Sequence, residues 1–411
     1  MQWMKPLSIF CMVLACGAGA GCATSPGRIH QSMLALDTHL DAPMLFAVQG
    51  WDITRRHSVQ ADGSQVDLPR MIQGGLDGGF WAIYIPQGPL TPAGRAAARE
   101  AGLRRMAEIH AMVEQHPDKF EIALTADDAP RIAATGKRIV YLSMENGYPL
   151  GEDPQLLRVF YAGGVRMAGP VHFLNNDLAT SATDAAPARY PGLTPLGRQW
   201  VEECNRLGIL IDASHASDVV LDELLELSKA PIILSHSGAR VVFDHPRNVD
   251  DEHLRRIAAH GGVIQVSAYN DYMIANPRNA DRQAAIGAAR GTSSRTLAQR
   301  EAMQQQLAAI DQKYPYRRAT FDDYMQHLLH VIRIAGVEHA GIGIDFDGGG
   351  GVQGFEDASD YPKITARLLA AGYSRQDLQK IWSGNVLRVL RQAQAAAATP
   401  ATATTRGSLP R

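Results

Sequence analysis

Three histidines and three carboxylates in this chain close short apolar runs or follow them directly. Asp37-Thr38-His39-Leu40-Asp41 comes after the first run, and Glu145 follows Tyr141-Leu142-Ser143-Met144. His215 closes Ile211-Asp212-Ala213-Ser214-His215, His236 closes Leu234-Ser235-His236, and Asp345 follows Gly341-Ile342-Gly343-Ile344. In an extended segment, residues two apart face the same way, so His39 and Asp41 can project together. Imidazole nitrogens mixed with carboxylate oxygens suit a divalent transition metal, and three histidines with Asp and Glu match a zinc donor set. Any one of these residues alone is more often a hydrogen-bonded structural group. Six at the same end of successive elements exceed what packing requires.

The elements that must position them are legible as repetition. Eight apolar runs occur at 33–36, 80–85, 139–142, 165–171, 208–211, 231–234, 262–266 and 340–344. Amphipathic stretches at 95–114, 154–161, 195–207, 218–227, 251–259 and 321–334 lie between several of them. Strand alternating with helix implies a parallel sheet covered by helices. Eight such strands predict a closed (β/α)8 TIM-like barrel of the metal-dependent amidohydrolase type, with its chemistry at the carboxyl ends of the strands. The competing architecture is an open doubly wound sheet, but no Gly-rich nucleotide loop follows the first strand. The barrel domain is expected over 28–391. Residues 276–318, between the seventh and eighth runs, form a helix-prone insertion with eight Lys/Arg against three Asp/Glu, read as a solvated lid or excursion rather than a partner surface.

Composition narrows the class. The chain has 411 residues, is 45% hydrophobic and 20% charged, and carries 40 Lys+Arg against 42 Asp+Glu. That is a globular composition, and a net charge of −2 offers no field for nucleic acid or an anionic membrane. Three of the four cysteines fall in the first 22 residues, so no disulfide framework exists, and Cys204 is expected as a small buried hydrophobe. Residues 1–24 read as a signal peptide: Lys5, a short apolar run, then small residues. Val13-Leu14-Ala15-Cys16 resembles a bacterial lipobox and Cys22 is a poorer match, which leaves a lipid anchor and a soluble product both open. Export to the periplasm, or to a membrane-anchored lipoprotein of a bacterium, is the expected destination. Residues 392–411, rich in Ala, Thr and Pro, read as a disordered tail.

In these motifs the chain resembles the membrane (renal) dipeptidases, zinc metallopeptidases on an amidohydrolase-like barrel. The resemblance rests on 37–43, 66–86, 144–147, 164–176, 211–217, 234–239, 246–249, 265–269 and 343–348, and spans about 34–390. It implies two zinc ions per chain: His39 and Asp41 on one, His215 and His236 on the other, with Glu145 bridging. It implies a water or hydroxide between the metals as nucleophile and Asp345 as general acid/base. His172, in Pro170-Val171-His172-Phe173, matches a substrate-binding histidine able to donate to a tetrahedral oxyanion. Arg247 matches an arginine that holds the substrate's free carboxylate, and Tyr269 a second substrate contact. The implied substrate is a dipeptide, with a D-residue at the C-terminal position among the candidates.

The departures are small. Leu40 stands where family members often have Asn, and the disulfides of the mammalian members have no counterpart, so any homodimer would be non-covalent. The alternative activity is another amidohydrolase-type amide or lactam hydrolase. The phosphotriesterase and dihydroorotase type commonly bridges its metals with a carboxylated lysine, yet no lysine ends the third or fourth run, where Glu145 stands. A solute-binding lipoprotein that had lost the chemistry would lack one of the six groups, and all six are present.

Overall fold

The computed structural model describes residues 25–291 and 296–397. Ten strands are present among them: β1 Leu36–Leu40, β2 Gly78–Tyr84, β3 Phe120–Ile122, β4 Arg138–Glu145, β5 Val165–Ala168, β6 Leu210–Ile211, β7 Ile233–Ala239, β8 Asn248–Val249, β9 Val263–Val266 and β10 Ala340–Ile342. Every laddered pair is parallel. Strands β3 and β8 have no counterpart among the apolar runs, being three and two residues long. The first strand extends beyond the run at 33–36, because its buried residues include the polar Asp37, Thr38 and His39, and a hydrophobic criterion stops where they begin.

The closed (β/α)8 barrel expected from the repetition is corrected by the ladders. They form two curved, open sheets: β1-β2-β4-β5-β6 with β3 beside β4, and β10-β9-β7-β8. No continuous ladder joins them. At each seam there is one isolated bridge, Asp212 to Ile233 and Leu40 to Phe346. The physical reason is that carboxylates take over the backbone donors there. Asp212 Oδ1 accepts from Ser214 N and Ser235 N, both at 2.9 Å, so the neighbouring strand is held by a side chain. At the other seam Asp37 accepts from His39 N at 2.8 Å, from Ile344 N at 3.1 Å and from the Tyr361 hydroxyl at 2.6 Å. Buried backbone N–H groups must be paired, and here the pairing is through Asp rather than a ladder.

Helices cover the outside where the sequence supplies both a stop and a start. Pro195–Leu207 is capped by Thr194, which accepts from Gly197 N, has Pro at its first turn and ends at Gly208 with φ 73°. It buries Trp200, Val201 and Cys204 against the core, so Cys204 is the buried small hydrophobe expected of it. Phe321–Ala335 starts with a reciprocal Thr320/Asp323 capping box. Fully burying such apolar side chains contributes about 1.5–3 kcal/mol each.

Within 276–318 the described residues include two helices, Ala280–Arg290 and Leu297–Lys313, neither with a buried residue. Arg300 donates to Asp62 O at 3.0 Å, Leu297 N to Gln49 O at 2.9 Å, and Asn276 Nδ2 to Arg317 O at 3.0 Å. The excursion is thus pinned at its base and along its second helix. The last helix, Asn385–Ala396, continues beyond 392, where the tail was expected to begin. The leader with Cys16 and Cys22, and residues 398–411, lie outside the described residues. No described helix is long and apolar enough to cross a membrane.

Candidate metal centre

Parallel strands bring their carboxyl ends to one rim, and the six singled-out groups gather there. His39 lies in β1 with Asp41 just beyond it, Glu145 ends β4, and His236 lies within β7. His215 and Asp345 follow β6 and β10 in tight loops. Four non-glycine residues have positive φ among the described residues: Asn146 (74°), His215 (67°), Asp345 (71°) and Asp347 (67°). All four are at this rim, two of them being site residues themselves. Left-handed backbone at such residues costs of order 1–3 kcal/mol and persists where the surroundings enforce it, which is characteristic of functional sites.

Glu145 is the hub. Its Oε1 lies 3.0 Å from His215 Nε2, 3.3 Å from His236 Nε2 and 3.5 Å from His172 Nε2. Its Oε2 lies 3.4 Å from His39 Nε2, which is 3.3 Å from Asp41 Oδ2. Three tight donor groups result: His39/Glu145/His236, Glu145/His172/His215 and His39/Asp41/Asp345, each with ligand atoms within 4.8 Å of one another. The pairing expected from the resemblance put His39 with Asp41 and His215 with His236. His39 does lie against Asp41, and the geometry also places His236 beside His39, ring centroids 3.8 Å apart, and His215 beside His172 at 4.1 Å. His215 and His236 still face each other, Nε2 to Nε2, at 2.8 Å.

The donor chemistry fits metal ions. Both ring nitrogens of His39, Asp41 Oδ1 and His215 Nδ1 are buried without a hydrogen-bond partner, a costly state for polar atoms that a cation would relieve. Burial holds His215 and His236 well below the usual imidazole range, so they are neutral, the form that ligates. Burial also opposes charge on His39, but the carboxylates of Glu145 and Asp41 outweigh it and draw positive charge to that point. Burial pushes Glu145 upward, yet the charge drawn to His39, with a hydrogen bond from His215, holds it well below the carboxylate range. Asp345 goes the other way: burial raises it, His39 pulls it back, and Asp41 and Glu145 push it further up.

The pocket wall comprises Asp41, Glu145, His172, His215, Tyr269 and Asp345, together with Met44, Tyr84, Phe173, Tyr272 and Gly348. The last five were not singled out from the sequence. Phe173 directly follows His172 and Tyr84 ends β2, signals that position alone could have carried. Gly348 is needed for close approach: a Cβ there would lie 2.1 Å from Asp41 Oδ2 and 2.2 Å from Asp345 Oδ1. Tyr269 stacks on Tyr272 with centroids 4.3 Å apart, and burial first, then Asp345, pushes its phenol up to about 12, so it is a neutral donor. Arg247 is buried at 3% exposure, not solvated on a loop. Its Nη2 donates to His236 O at 2.9 Å, its guanidinium carbon lies 5.3 Å from the Tyr272 ring centroid, and its Nε has no partner.

A sequence profile of the membrane dipeptidases, peptidase family M19, matches residues 25–404. The chain belongs to this family. Dipeptidase tcpJ of Claviceps purpurea is 33% identical over 339 residues, 81% of this chain and 70% of that protein. The crystal structure of the probable dipeptidase PvdM from Pseudomonas aeruginosa is 32% identical, with a TM-score of 0.77 over 90% of this chain and 98% of that one. A metallopeptidase from Rhodobacter sphaeroides, crystallised with a phosphinate mimic of the dipeptide L-Ala-D-Ala, is 25% identical, with a TM-score of 0.67 over 88% of this chain and 99% of that one. This membrane dipeptidase is a metal-dependent hydrolase of dipeptides, and Glu145 is shared between two of the three donor groups of its binuclear zinc centre.

Proposed function

We propose that the site cleaves dipeptides with a free C-terminal carboxylate and accepts a D-residue at that position, through the following residue roles. The observation that carries the reading is the position of Glu145, with imidazoles on both of its oxygens at the floor of a pocket walled by tyrosines. Acceptance of a D-residue is supported by the L-Ala-D-Ala mimic held by the Rhodobacter sphaeroides relative.

His39, Asp41, Glu145, His215 and His236 would hold the two zinc ions. Zinc, when bound, lowers the pKa of water and polarises a carbonyl, so no Ser or Cys nucleophile is required. The Asp345 carboxylate takes one proton from the attacking water and delivers it to the leaving amine nitrogen, so water adds across the amide to give an acid and an amine. His172 is suited to steadying the oxyanion: burial lowers its pKa to about 4, so its ring is neutral and keeps one N–H to donate. Arg247, with an unpartnered Nε beside Tyr272, supplies the cation for the substrate carboxylate, and a planar guanidinium can bind it bidentately. Tyr269 adds a neutral phenol donor at the mouth.

The leader carries a second part of the proposal: a bacterial exported protein, anchored through Cys16 if the lipobox-like Val13-Leu14-Ala15-Cys16 is processed. Mass spectrometry of the mature N-terminus tests it, an unprocessed Met1 excluding export by this route. A panel of L,L and L,D dipeptides, their amides and tripeptides, assayed with and without chelator, tests the activity. Cleavage restricted to free dipeptides and abolished by chelator is expected; chelator-resistant cleavage would overturn the reading.

A further inference from the structure

The hydrogen bonds behind His236 run in one direction, and that direction selects which of its nitrogens is free for a metal. Asp212 Oδ1 is engaged by two backbone donors, Ser214 N and Ser235 N at 2.9 Å each. Its Oδ2 receives the Ser235 hydroxyl at 2.5 Å. A serine has a single hydroxyl proton, so once it is given to the carboxylate, Ser235 Oγ can only accept from other groups. Its neighbour there is His236 Nδ1, at 2.8 Å. His236 Nδ1 must therefore carry the ring proton, and Nε2, which faces Glu145 Oε1 at 3.3 Å, is left with its lone pair.

We propose that Asp212 and Ser235 are positioning residues for the metal centre: together they lock His236 in the Nδ1–H tautomer and aim Nε2 at the metal. Imidazole ligands are commonly tuned through the nitrogen that does not bind, and loss of such a partner costs about 10- to 100-fold in metal affinity. Asp212, Ser235 and His236 are each at most 4% exposed, so no solvent substitutes for the chain. The ring is also held from its backbone, His236 N donating to Ser214 Oγ at 3.1 Å and His236 O accepting from Arg247. Neither contact distinguishes one ring nitrogen from the other; on the Nδ1 side Ser235 does, while Nε2 lies 2.8 Å from His215 Nε2, from which it can accept. His39 and His215 contrast with it, their Nδ1 atoms being buried without partners. The same Asp212 that replaces ladder bonds at the β6/β7 seam thus sets the chemistry of a residue one strand away.

The inference rests on His236 being a ligand, and two readouts separate its failure from the failure of that reading. The first is the tautomer of His236 in metal-free protein, from nitrogen-15 NMR. The second is zinc affinity, from titration against a chromophoric chelator. Asp212→Asn is the discriminating variant. Its amide can donate to Ser235 Oγ, releasing the serine proton toward His236 Nδ1 and reversing the chain with almost no change in shape. We expect Nδ1–H in the parent, Nε2–H in D212N, and zinc bound at one site about 10- to 100-fold more weakly. Ser235→Ala should weaken the same site, and Ser235→Thr, which keeps the hydroxyl, should restore it. An Nε2–H tautomer in the parent, or an unchanged tautomer in D212N, overturns the relay. A reversed tautomer with unchanged zinc affinity overturns His236 as a ligand.

Discussion

Glu145 divides its two carboxylate oxygens: Oε2 lies 3.4 Å from His39 Nε2, while Oε1 lies 3.0 Å from His215 Nε2 and 3.3 Å from His236 Nε2. A carboxylate divided in this way can balance two dications at once. Replacing it with the neutral amide in Glu145→Gln removes the charge and one acceptor together. Zinc content should fall below two per chain and activity should fall with it. Elemental analysis alongside a dipeptide assay checks this; full activity with a single metal would refute the shared role.

Asp345 is the proton carrier in the proposed mechanism. Asp345→Asn keeps the shape of the side chain but cannot take up a proton. We expect two zinc ions retained, KM little changed, and kcat lower by about 10²-fold or more. Metal loss in parallel with the rate would make Asp345 chiefly a ligand, as its grouping with His39 and Asp41 allows.

Arg247 has two neighbours to serve, the His236 carbonyl and any carboxylate that reaches its unpartnered Nε. A charge-assisted hydrogen bond in a desolvated site contributes roughly 1.5–3 kcal/mol, so Arg247→Ala should lower kcat/KM on free dipeptides by about 10- to 200-fold. A dipeptide amide, already a poor substrate, should lose little more. Equal losses on acid and amide would instead assign Arg247 to holding His236 in place.

Far from the pocket, His30 makes the fold sensitive to acid. It is fully buried, its ring nitrogens 2.8 Å from Thr365 Oγ1 and from Gly74 O, and burial lowers its pKa from 6.5 to about 4. Between these values the unfolded chain binds a proton that the native one refuses. Stability therefore falls as pH drops from about 6.5 to about 4, by on the order of 3 kcal/mol in full. His30→Gln should be less stable than the parent at pH 7 but lose less on acidification. Chemical denaturation from pH 7 to 4.5 measures both slopes, and identical slopes would remove His30 from the account.

Local signals were enough for several of the helices and for the polar residues at the strand ends. Pro195–Leu207, Asp218–Leu227 and Asp251–Ala259 begin at Thr194, Ser217 and Asp250, each of which accepts a backbone hydrogen bond within the next three residues. Capping and periodicity are short-range properties, so the chain itself declares them. The strand-end carboxylates and histidines were legible for a related reason: a polar residue closing an apolar run is visible without knowing its neighbours. Closure of the sheet was not legible, because it depends on groups far apart in the chain. The repetition of eight runs suggested a continuous barrel, but Asp37 and Asp212 accept the backbone hydrogen bonds at the seams and leave two open sheets. Tertiary packing also decided that Arg247 is buried beside Tyr272 and that His215 and Asp345 adopt left-handed backbone. Residue type sets what a side chain can donate, accept or ligate; only the folded neighbours determine which of its atoms are left free to do so.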